Sequence, residues 1–151
     1  MFRSNLLNKS LKVQLLGSKK FIFDHVRKKN VTMTPEEWVR QSIIFYLVNT
    51  LNYPIGLISV ESSLKYNGIN KRSDIIVKSR NGLSNYLLVE CKSFKLKLNH
   101  SHLSQVSMYN KKYSSRYMMI TNGIDHLVLS VDEKSNKLNV LDEIPIFKDL
   151  D

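Results

Sequence analysis

Two carboxylates and one lysine stand at the charged ends of two apolar segments. Asp74 lies near the start of a β-branched run, and Glu90 and Lys92 close the next apolar run. Between the runs stands Asn81-Gly82, a dipeptide typical of tight hairpins, so the runs are predicted to pair as antiparallel strands. Pairing brings Asp74 towards Glu90, and a spacing of two puts Glu90 and Lys92 on one strand face. Two carboxylates beside a lysine suit a divalent metal next to a phosphate or a water molecule.

The same three residues also allow an ordinary explanation. A glutamate and a lysine two positions apart on a strand commonly form a solvated ion pair without a catalytic role. Burial favours the metal site, because Leu87-Leu88-Val89 leads directly into Glu90. A charge at the end of a buried strand is costly unless it is paired or metal-bound.

The charge of the chain is basic and unevenly spread. The 151 residues hold 23 Lys+Arg and 13 Asp+Glu, a formal net charge of +10. Six of the acids but only three of the lysines fall in residues 132–151, so the first 131 residues keep 20 basic and seven acidic residues, a net +13. A basic body around a small acidic pocket is expected of a metal-dependent enzyme acting on a polyanion. A generally lysine-rich proteome is the alternative explanation.

The lone cysteine and the hydropathy pattern bear on the compartment. Cys91 has no partner in the chain for a disulfide, which suits a reducing environment. Its place between Glu90 and Lys92 directs its side chain to the opposite, core face of the sheet. The N-terminus lacks the continuous apolar segment of a signal peptide, and no apolar run reaches membrane-spanning length. We therefore expect a soluble cytoplasmic protein without membrane association.

The elements around the candidate site are predicted within a single domain over residues 1–151. Thr34 and Pro35, followed by two glutamates, predict the start of a helix that runs to about Leu51. Residues 1–30 are predicted to form an extended arm or a short strand. Four strands are predicted: 57–66, one around Asp74, one ending at Glu90, and 116–121. A second helix is predicted over 99–113, and a hairpin pairs 126–131 with 137–141. The core would span 31–123, and the hairpin and tail 124–151.

This order of helix, three strands, helix and strand, with Glu-x-Lys ending the third strand, resembles the PD-(D/E)XK nuclease superfamily. The sequence is most similar to the N-terminal nuclease domain family of type I restriction enzyme R subunits. The likeness rests on four segments in order: RKKNVTMTPEEWVRQ at 27–41, VECKS at 89–93, QVSMY at 105–109 and TNG at 121–123. Ser73 stands where the superfamily's name places proline, which is not a ligand.

The resemblance implies an α/β fold of the α+β type, with a restriction-endonuclease-like core and a mixed central sheet with helices on both sides. It also implies a DNA endonuclease of restriction or repair type that depends on Mg²⁺ or Mn²⁺. Asp74 and Glu90 would ligate the metal, with the main-chain carbonyl of Cys91 as a third ligand. Lys92 would stand beside the metal-bound water and stabilise charge on the phosphate in the transition state.

A carboxylate from the first helix is a further candidate, and two glutamates compete for the role. At about 100° per residue, Glu36 lies in line with the apolar face of the helix, which favours it as catalytic residue and metal ligand. Glu37 occupies the third helical position, where it would complete a capping box with Thr34. Arg40 lies one turn after Glu36 and is predicted either to pair with it or to contact a phosphate.

Residues of the predicted second helix complete the candidate set. Gln105 and Tyr109 lie one turn apart, and the resemblance implies that they support the nuclease site by touching DNA or orienting Lys92; a surface glutamine beside a half-buried tyrosine is the alternative. His100 and His102 lack Cys or His partners at zinc-ligand spacing, which favours loop histidines. The remaining predicted DNA contacts are four lysines that flank the groove: Lys95, Lys97, Lys111 and Lys112.

The expected partner is DNA. A chain of this length leaves no room for a helicase motor, so translocation would come from a helicase or restriction partner, and a homodimer is also considered. The alternative function is a catalytically inactive nucleic-acid-binding module that keeps the nuclease fold.

Overall fold

The computed structural model describes residues 1–66, 69–99, 101–102, 115–132, 134–135 and 137–148. Within these residues the chain forms one α-helix, one short 3-10 turn (Ile55–Leu57) and ten strands. The helix α1 spans Pro35–Asn49. The strands are β1 (Phe2–Arg3), β2 (Val13–Leu16), β3 (Lys19–Asp24), β4 (Lys29–Thr32), β5 (Ile58–Tyr66), β6 (Ile69–Lys78), β7 (Asn85–Cys91), β8 (Ser115–Thr121), β9 (Asp125–Val131) and β10 (Leu138–Leu141).

Seven strands form one large mixed sheet in the order β1-β9-β8-β7-β6-β5, with β10 also paired to β9. β7 and β8 run parallel, whereas the other neighbours are antiparallel. A parallel neighbour requires a crossover connection, and the 23 residues between β7 and β8 supply its length. The described residues therefore have a mixed α+β fold made mainly of sheet, and the predicted mixed central sheet is confirmed.

The connection between β6 and β7 is the predicted hairpin. Gly82 adopts a φ of +70°, which only glycine takes without strain. The Asn81 side chain accepts hydrogen bonds from the Leu83 amide at 2.9 Å and the Ser79 hydroxyl at 2.6 Å. These local bonds fix the turn and hence the register of the strands that carry Asp74 and Glu90.

Helix α1 begins and ends close to its predicted limits. The Thr34 hydroxyl accepts a hydrogen bond from the Glu37 amide at 3.0 Å, and Pro35 takes the first helical position. Thr50 is the C-terminal cap, and Asn52 follows with a φ of +58°. The apolar face of α1 packs on the sheet through side chains that are fully buried: Val39, Ile43 and Leu47 against Ile75, Val77, Leu87 and Val89.

Residues 75–77 of β6 and 86–89 of β7 are buried on both faces of the sheet, as their continuous apolar runs require. Residues alternate between the α1 side and a second cluster on the opposite face. That second cluster comprises Ile76, Leu88, Leu98, Met118, Ile120, Leu127 and Leu129.

The N-terminal region differs from the expected arm. β1 joins the large sheet beside β9, and β2, β3 and β4 form a separate three-stranded antiparallel sheet, here called the N-terminal meander. Asp24 organises its second turn, because its carboxylate accepts the amides of Val26 at 2.8 Å and Arg27 at 2.9 Å. Short basic strands separated by polar residues carry a weak periodic signal, so the pattern did not reveal the meander.

The second helix, predicted over 99–113, falls mainly on residues 100 and 103–113, which lie outside the described residues. In the part of the chain that the structure describes, no helix is long and apolar enough to cross a membrane.

Candidate active site

Asp74 lies in the middle of β6, and Glu90 is the last residue but one of the adjacent β7. The register pairs Ile75 with Val89, so the next position along each strand carries one of the two carboxylates. Their charges interact, since Asp74 raises the pKa of the Glu90 carboxyl. The hairpin thus brings the two predicted ligands together.

Both carboxylate oxygens of Asp74 are hydrogen-bonded. Oδ1 accepts from Nη2 of Arg40 at 2.8 Å, and Oδ2 accepts from the backbone amide of Cys91 at 2.7 Å. The Cys91 side chain is buried in the α1-side core, as predicted from its position. These two bonds fix the orientation of the Asp74 carboxylate, whose side chain is only 14% exposed.

Glu90 and Lys92 form a close ion pair. Nζ of Lys92 lies 2.8 Å from Oε1 of Glu90, and both side chains are about three-quarters buried. Burial is the main cause that raises the pKa of Glu90, and the negative charges of Asp74 and Glu36 add to it, whereas the bond from Lys92 acts in the opposite direction. An acid in this setting is stabilised in its charged form by any added cation.

Arg40 is the central cation of the site and is almost completely buried, with a side chain 5% exposed. It contacts Glu37 at 2.6 Å, Asp74 at 2.8 Å and Glu36 at 3.8 Å. Although burial acts to lower it, the pKa of Arg40 is raised by the charges of Glu37 and Asp74. The structure therefore places Arg40 inside the protein as a partner of carboxylates, and not at the surface where it was considered as a phosphate contact.

Glu36 and Glu37 occupy different environments. The Glu36 side chain is 49% exposed, and its charge reaches Glu90. The Glu37 carboxylate is buried and accepts bonds from Arg40 and from Gln41 at 2.9 Å, with Arg27 at 3.4 Å. The predicted capping box is therefore only half present: the Glu37 amide binds Thr34, but its carboxylate neutralises buried cations. Glu36 is therefore the half-exposed glutamate of this turn, 3.8 Å from Arg40, and its charge acts on Glu90.

A continuous row of buried charges connects the N-terminal meander to the site, and sequence reasoning did not select its first two members. Arg27 binds Asp24 at 2.5 Å and contacts Glu37, which binds Arg40, which binds Asp74. Here this row, Asp24-Arg27-Glu37-Arg40-Asp74, is called the ion chain. Although burial acts to raise it, the pKa of Asp24 is lowered by its bonds to Arg27. The sequence did carry a signal for Asp24, because it is the sole acid before Glu36 in a basic segment and therefore a candidate partner for a nearby arginine.

The segment that follows Lys92 is tied to the turn after β8. The Lys92 amide donates to the Thr121 carbonyl at 2.8 Å, and the Asn122 side chain donates to the Leu96 carbonyl at 2.7 Å. Lys95 and Lys97 are exposed on this segment. The TNG motif therefore has a structural role, which is to hold the chain that leaves the site.

Several predicted site residues cannot be placed. Gln105, Tyr109, Lys111, Lys112 and His100 lie outside the described residues. For His102 the structure gives a local contact, in which Nδ1 lies 3.1 Å from the Asn99 amide.

The donors at the site are compatible with Mg²⁺ or Mn²⁺. Among the described residues, no group of three or more His, Cys, Asp or Glu side chains is close enough to hold a metal by itself. Mg²⁺, however, is commonly held by one or two carboxylates, with waters and substrate phosphates completing its coordination. Asp74 and Glu90, with the Cys91 carbonyl, supply a set of that kind, although Arg40 and Lys92 are already paired with the two carboxylates.

The fold and these residues define a site of carboxylates and a lysine on two adjacent interior strands of a mixed α+β domain. The chain belongs to the type I restriction enzyme R protein N terminus (HSDR_N) family, whose model matches residues 35–145. The fragment structure assigned as an HsdR subunit of a type I restriction enzyme from Vibrio vulnificus YJ016 has a similar fold, with a TM-score of 0.51 and 18% identity. The match covers 73% of this chain and 23% of that chain, so this chain spans about a quarter of that relative. No curated protein matches the sequence significantly.

Proposed function

We propose that the protein is a divalent-metal-dependent DNA endonuclease with a PD-(D/E)XK site, acting in restriction or repair. The observation that carries the proposal is that adjacent strands bring Asp74, in the middle of β6, beside the end of β7, where Glu90 is paired with Lys92. Membership of a restriction-enzyme family supports the choice of DNA as substrate.

The roles of the residues follow from their contacts. Asp74, Glu90 and the Cys91 carbonyl would hold Mg²⁺ or Mn²⁺, which when bound supplies a Lewis acid and acidifies a water molecule. Lys92 keeps a positive charge beside Glu90 at 2.8 Å, where it would stabilise charge that develops on the phosphate. Glu36, half exposed at the first turn of α1, would add a further acceptor for a metal-bound water.

Arg40 is a positioning residue in this proposal. Its bond to Asp74 and the bond from the Cys91 amide hold the carboxylate without a metal. Glu37 balances the charge of Arg40 and is itself not available to a metal, because its oxygens accept from Arg40, Gln41 and Arg27.

One observation favours the second candidate, a nucleic-acid-binding module without catalysis. Arg40 neutralises Asp74, and Lys92 neutralises Glu90, so the principal charges are already balanced within the protein. A dication must therefore compete with two internal cations for the same carboxylates.

A nuclease assay separates the two candidates. Supercoiled plasmid, linear duplex, single-stranded and branched DNA are incubated with the protein in Mg²⁺, Mn²⁺ or EDTA. The wild type is compared with Asp74→Ala and with Asp142→Ala, which removes the same charge from an exposed position after β10. We expect metal-dependent cleavage that only Asp74→Ala abolishes. DNA binding without cleavage in every metal would establish the binding module instead.

The relatives also suggest how the protein acts in a larger assembly. The similar HsdR fragment is about four times the length that this chain covers. We propose that a helicase or restriction partner, or a second copy of this chain, completes the active assembly on DNA.

A further inference from the structure

The N-terminal meander concentrates positive charge on a surface separate from the candidate active site. Residues 9–29 contain six lysines and a single acid, Asp24. Asp24 is fully buried and paired to Arg27, so it offers no negative charge to the surface. All six lysines are exposed, and none is in an ion pair found among the described residues: Lys9, Lys12, Lys19, Lys20, Lys28 and Lys29.

One face of the meander is open to solvent and carries aromatic rings. Along β3, Ile22 and Asp24 are buried, so the alternating positions Lys19, Phe21 and Phe23 form the opposite face, here called the outer face. Phe23 is 41% exposed, and the ring of His25 contacts it edge-on at 5.0 Å. The register extends the outer face with Leu16, Gln14, Asn30 and Thr32, all exposed.

We propose that the outer face binds single-stranded nucleic acid. Three exposed lysines fit the phosphates: Lys19 lies on the outer face, Lys12 continues its alternation one residue before β2, and Lys28 lies in the turn after β3. The register puts Lys20 and Lys29 on the other face. An exposed phenylalanine on a sheet offers a stacking platform that accepts any base. A duplex keeps its bases stacked, so it would contact the lysines through its phosphates but would offer no base to Phe23 or to Leu16, which is 60% exposed. An anionic membrane fits less well as the ligand. Each exposed leucine of β2 pairs with a lysine of β3, Leu15 with Lys20 and Leu16 with Lys19, so the leucines form no continuous apolar face.

The ion chain gives this surface a fixed relation to the candidate active site. It joins Asp24, at the end of β3, to Asp74 through charged side chains that are at most 20% exposed. A strand held on the outer face is therefore held by the same rigid body that carries Asp74. The binding itself goes beyond the proposed cleavage, because none of its residues is a candidate metal ligand.

Fluorescence anisotropy in EDTA tests the surface without cleavage. A labelled single strand and the matching duplex are titrated with wild type, with Lys12→Gln/Lys19→Gln/Lys28→Gln, and with a matched control that loses three exposed lysines elsewhere, Lys78→Gln/Lys134→Gln/Lys137→Gln. We expect the meander triple to weaken single-strand binding at least about tenfold and to reduce the slope of log K against log salt by about 2. The control triple should change the affinity by less than about threefold.

The aromatic contact is tested by Phe23→Leu, which keeps an apolar side chain and removes the ring. We expect about tenfold weaker single-strand binding with unchanged duplex binding. Equal losses in the two lysine triples, or wild-type single-strand binding by Phe23→Leu, would overturn the proposal. Binding to phosphatidylserine vesicles that the meander triple abolishes, with single-strand binding intact, would assign the surface to membranes and overturn it as well.

The result does not depend on whether the site cleaves DNA. Asp74→Ala should bind the single strand as wild type does, even if it is inactive in the nuclease assay. If the wild type never cleaves DNA but the meander triple weakens single-strand binding, the proposed endonuclease activity is refuted and the proposed binding by the outer face is supported.

Discussion

Removing the charge of Arg40 should cost more stability than any exposed charge in the molecule. In Arg40→Met, Glu37 and Asp74 each lose a buried partner, at 2.6 and 2.8 Å. Removing one partner of a buried ion pair commonly costs 3–5 kcal/mol, because the other charge is left uncompensated. Glu37 keeps Arg27 and Gln41, and Asp74 keeps the Cys91 amide. We therefore expect a loss near the lower limit, about 3 kcal/mol.

Urea denaturation followed by circular dichroism measures this loss. The matched control is Glu36→Gln, whose carboxylate is half exposed and 3.8 Å from Arg40, and its free energy of unfolding should change by less than about 0.5 kcal/mol. A double-mutant cycle adds Glu37→Leu to Arg40→Met. Because the double variant removes both buried charges, it should be more stable than the sum of the single losses by at least about 1 kcal/mol.

Two results would refute the buried-cation explanation. One is an Arg40→Met protein that loses less than about 1 kcal/mol. The other is additive losses in the cycle, which would mean that Arg40 and Glu37 act independently. In either case Arg40 would have to be solvated in solution.

Three further outcomes are expected. Lys92→Ala should retain DNA and metal affinity but lose cleavage by about 10²–10³, and wild-type cleavage rates would contradict its catalytic role. The free energy of unfolding should fall as the pH drops below about 6.5, by up to about 1.4 kcal/mol per pH unit. The reason is that burial lowers the pKa of His126, so the folded state favours the neutral imidazole. Urea titrations at successive pH values measure this slope, which should be absent in His126→Phe. Gly123→Ala should lose about 1 kcal/mol more stability than Gly82→Ala. Both positions have a positive φ, but only at Gly123 would the new methyl group lie 2.5 Å from the Leu7 side chain. Equal unfolding midpoints of the two variants would contradict this.

The pairing of β6 with β7 was predictable because its signals are local. Asn81-Gly82 supplies the turn geometry, and each flanking run is continuously apolar. A short hairpin leaves little freedom of register, so the neighbourhood of Asp74 and Glu90 follows from the order of residues alone. The start of α1 was predictable for the same reason, since Thr34 and Pro35 act on the first helical turn.

The partners of Glu37 and Arg40 could not be read from the sequence. Helical geometry predicted Glu36 on the apolar side of α1 and Glu37 in a capping box. In the structure the Glu37 carboxylate is instead buried in ion pairs with Arg40 and Arg27. Nothing local shows which acid will neutralise a buried arginine, because the answer depends on which elements pack beside it. The meander was missed on similar grounds, since its three strands are short and its burial is confined to Ile22 and Asp24.

The sequence by itself determined the hairpin, the first helix, the basic charge and the candidate ligands. Each of these depends on residues close together in the chain, where backbone geometry limits the alternatives. Only the tertiary structure decided that Arg40 holds Asp74, 34 residues away, and that Asp24 is joined to the site through Arg27 and Glu37. Buried charges choose partners by proximity after packing, since a low-dielectric interior makes an unpaired ion too costly to leave in place.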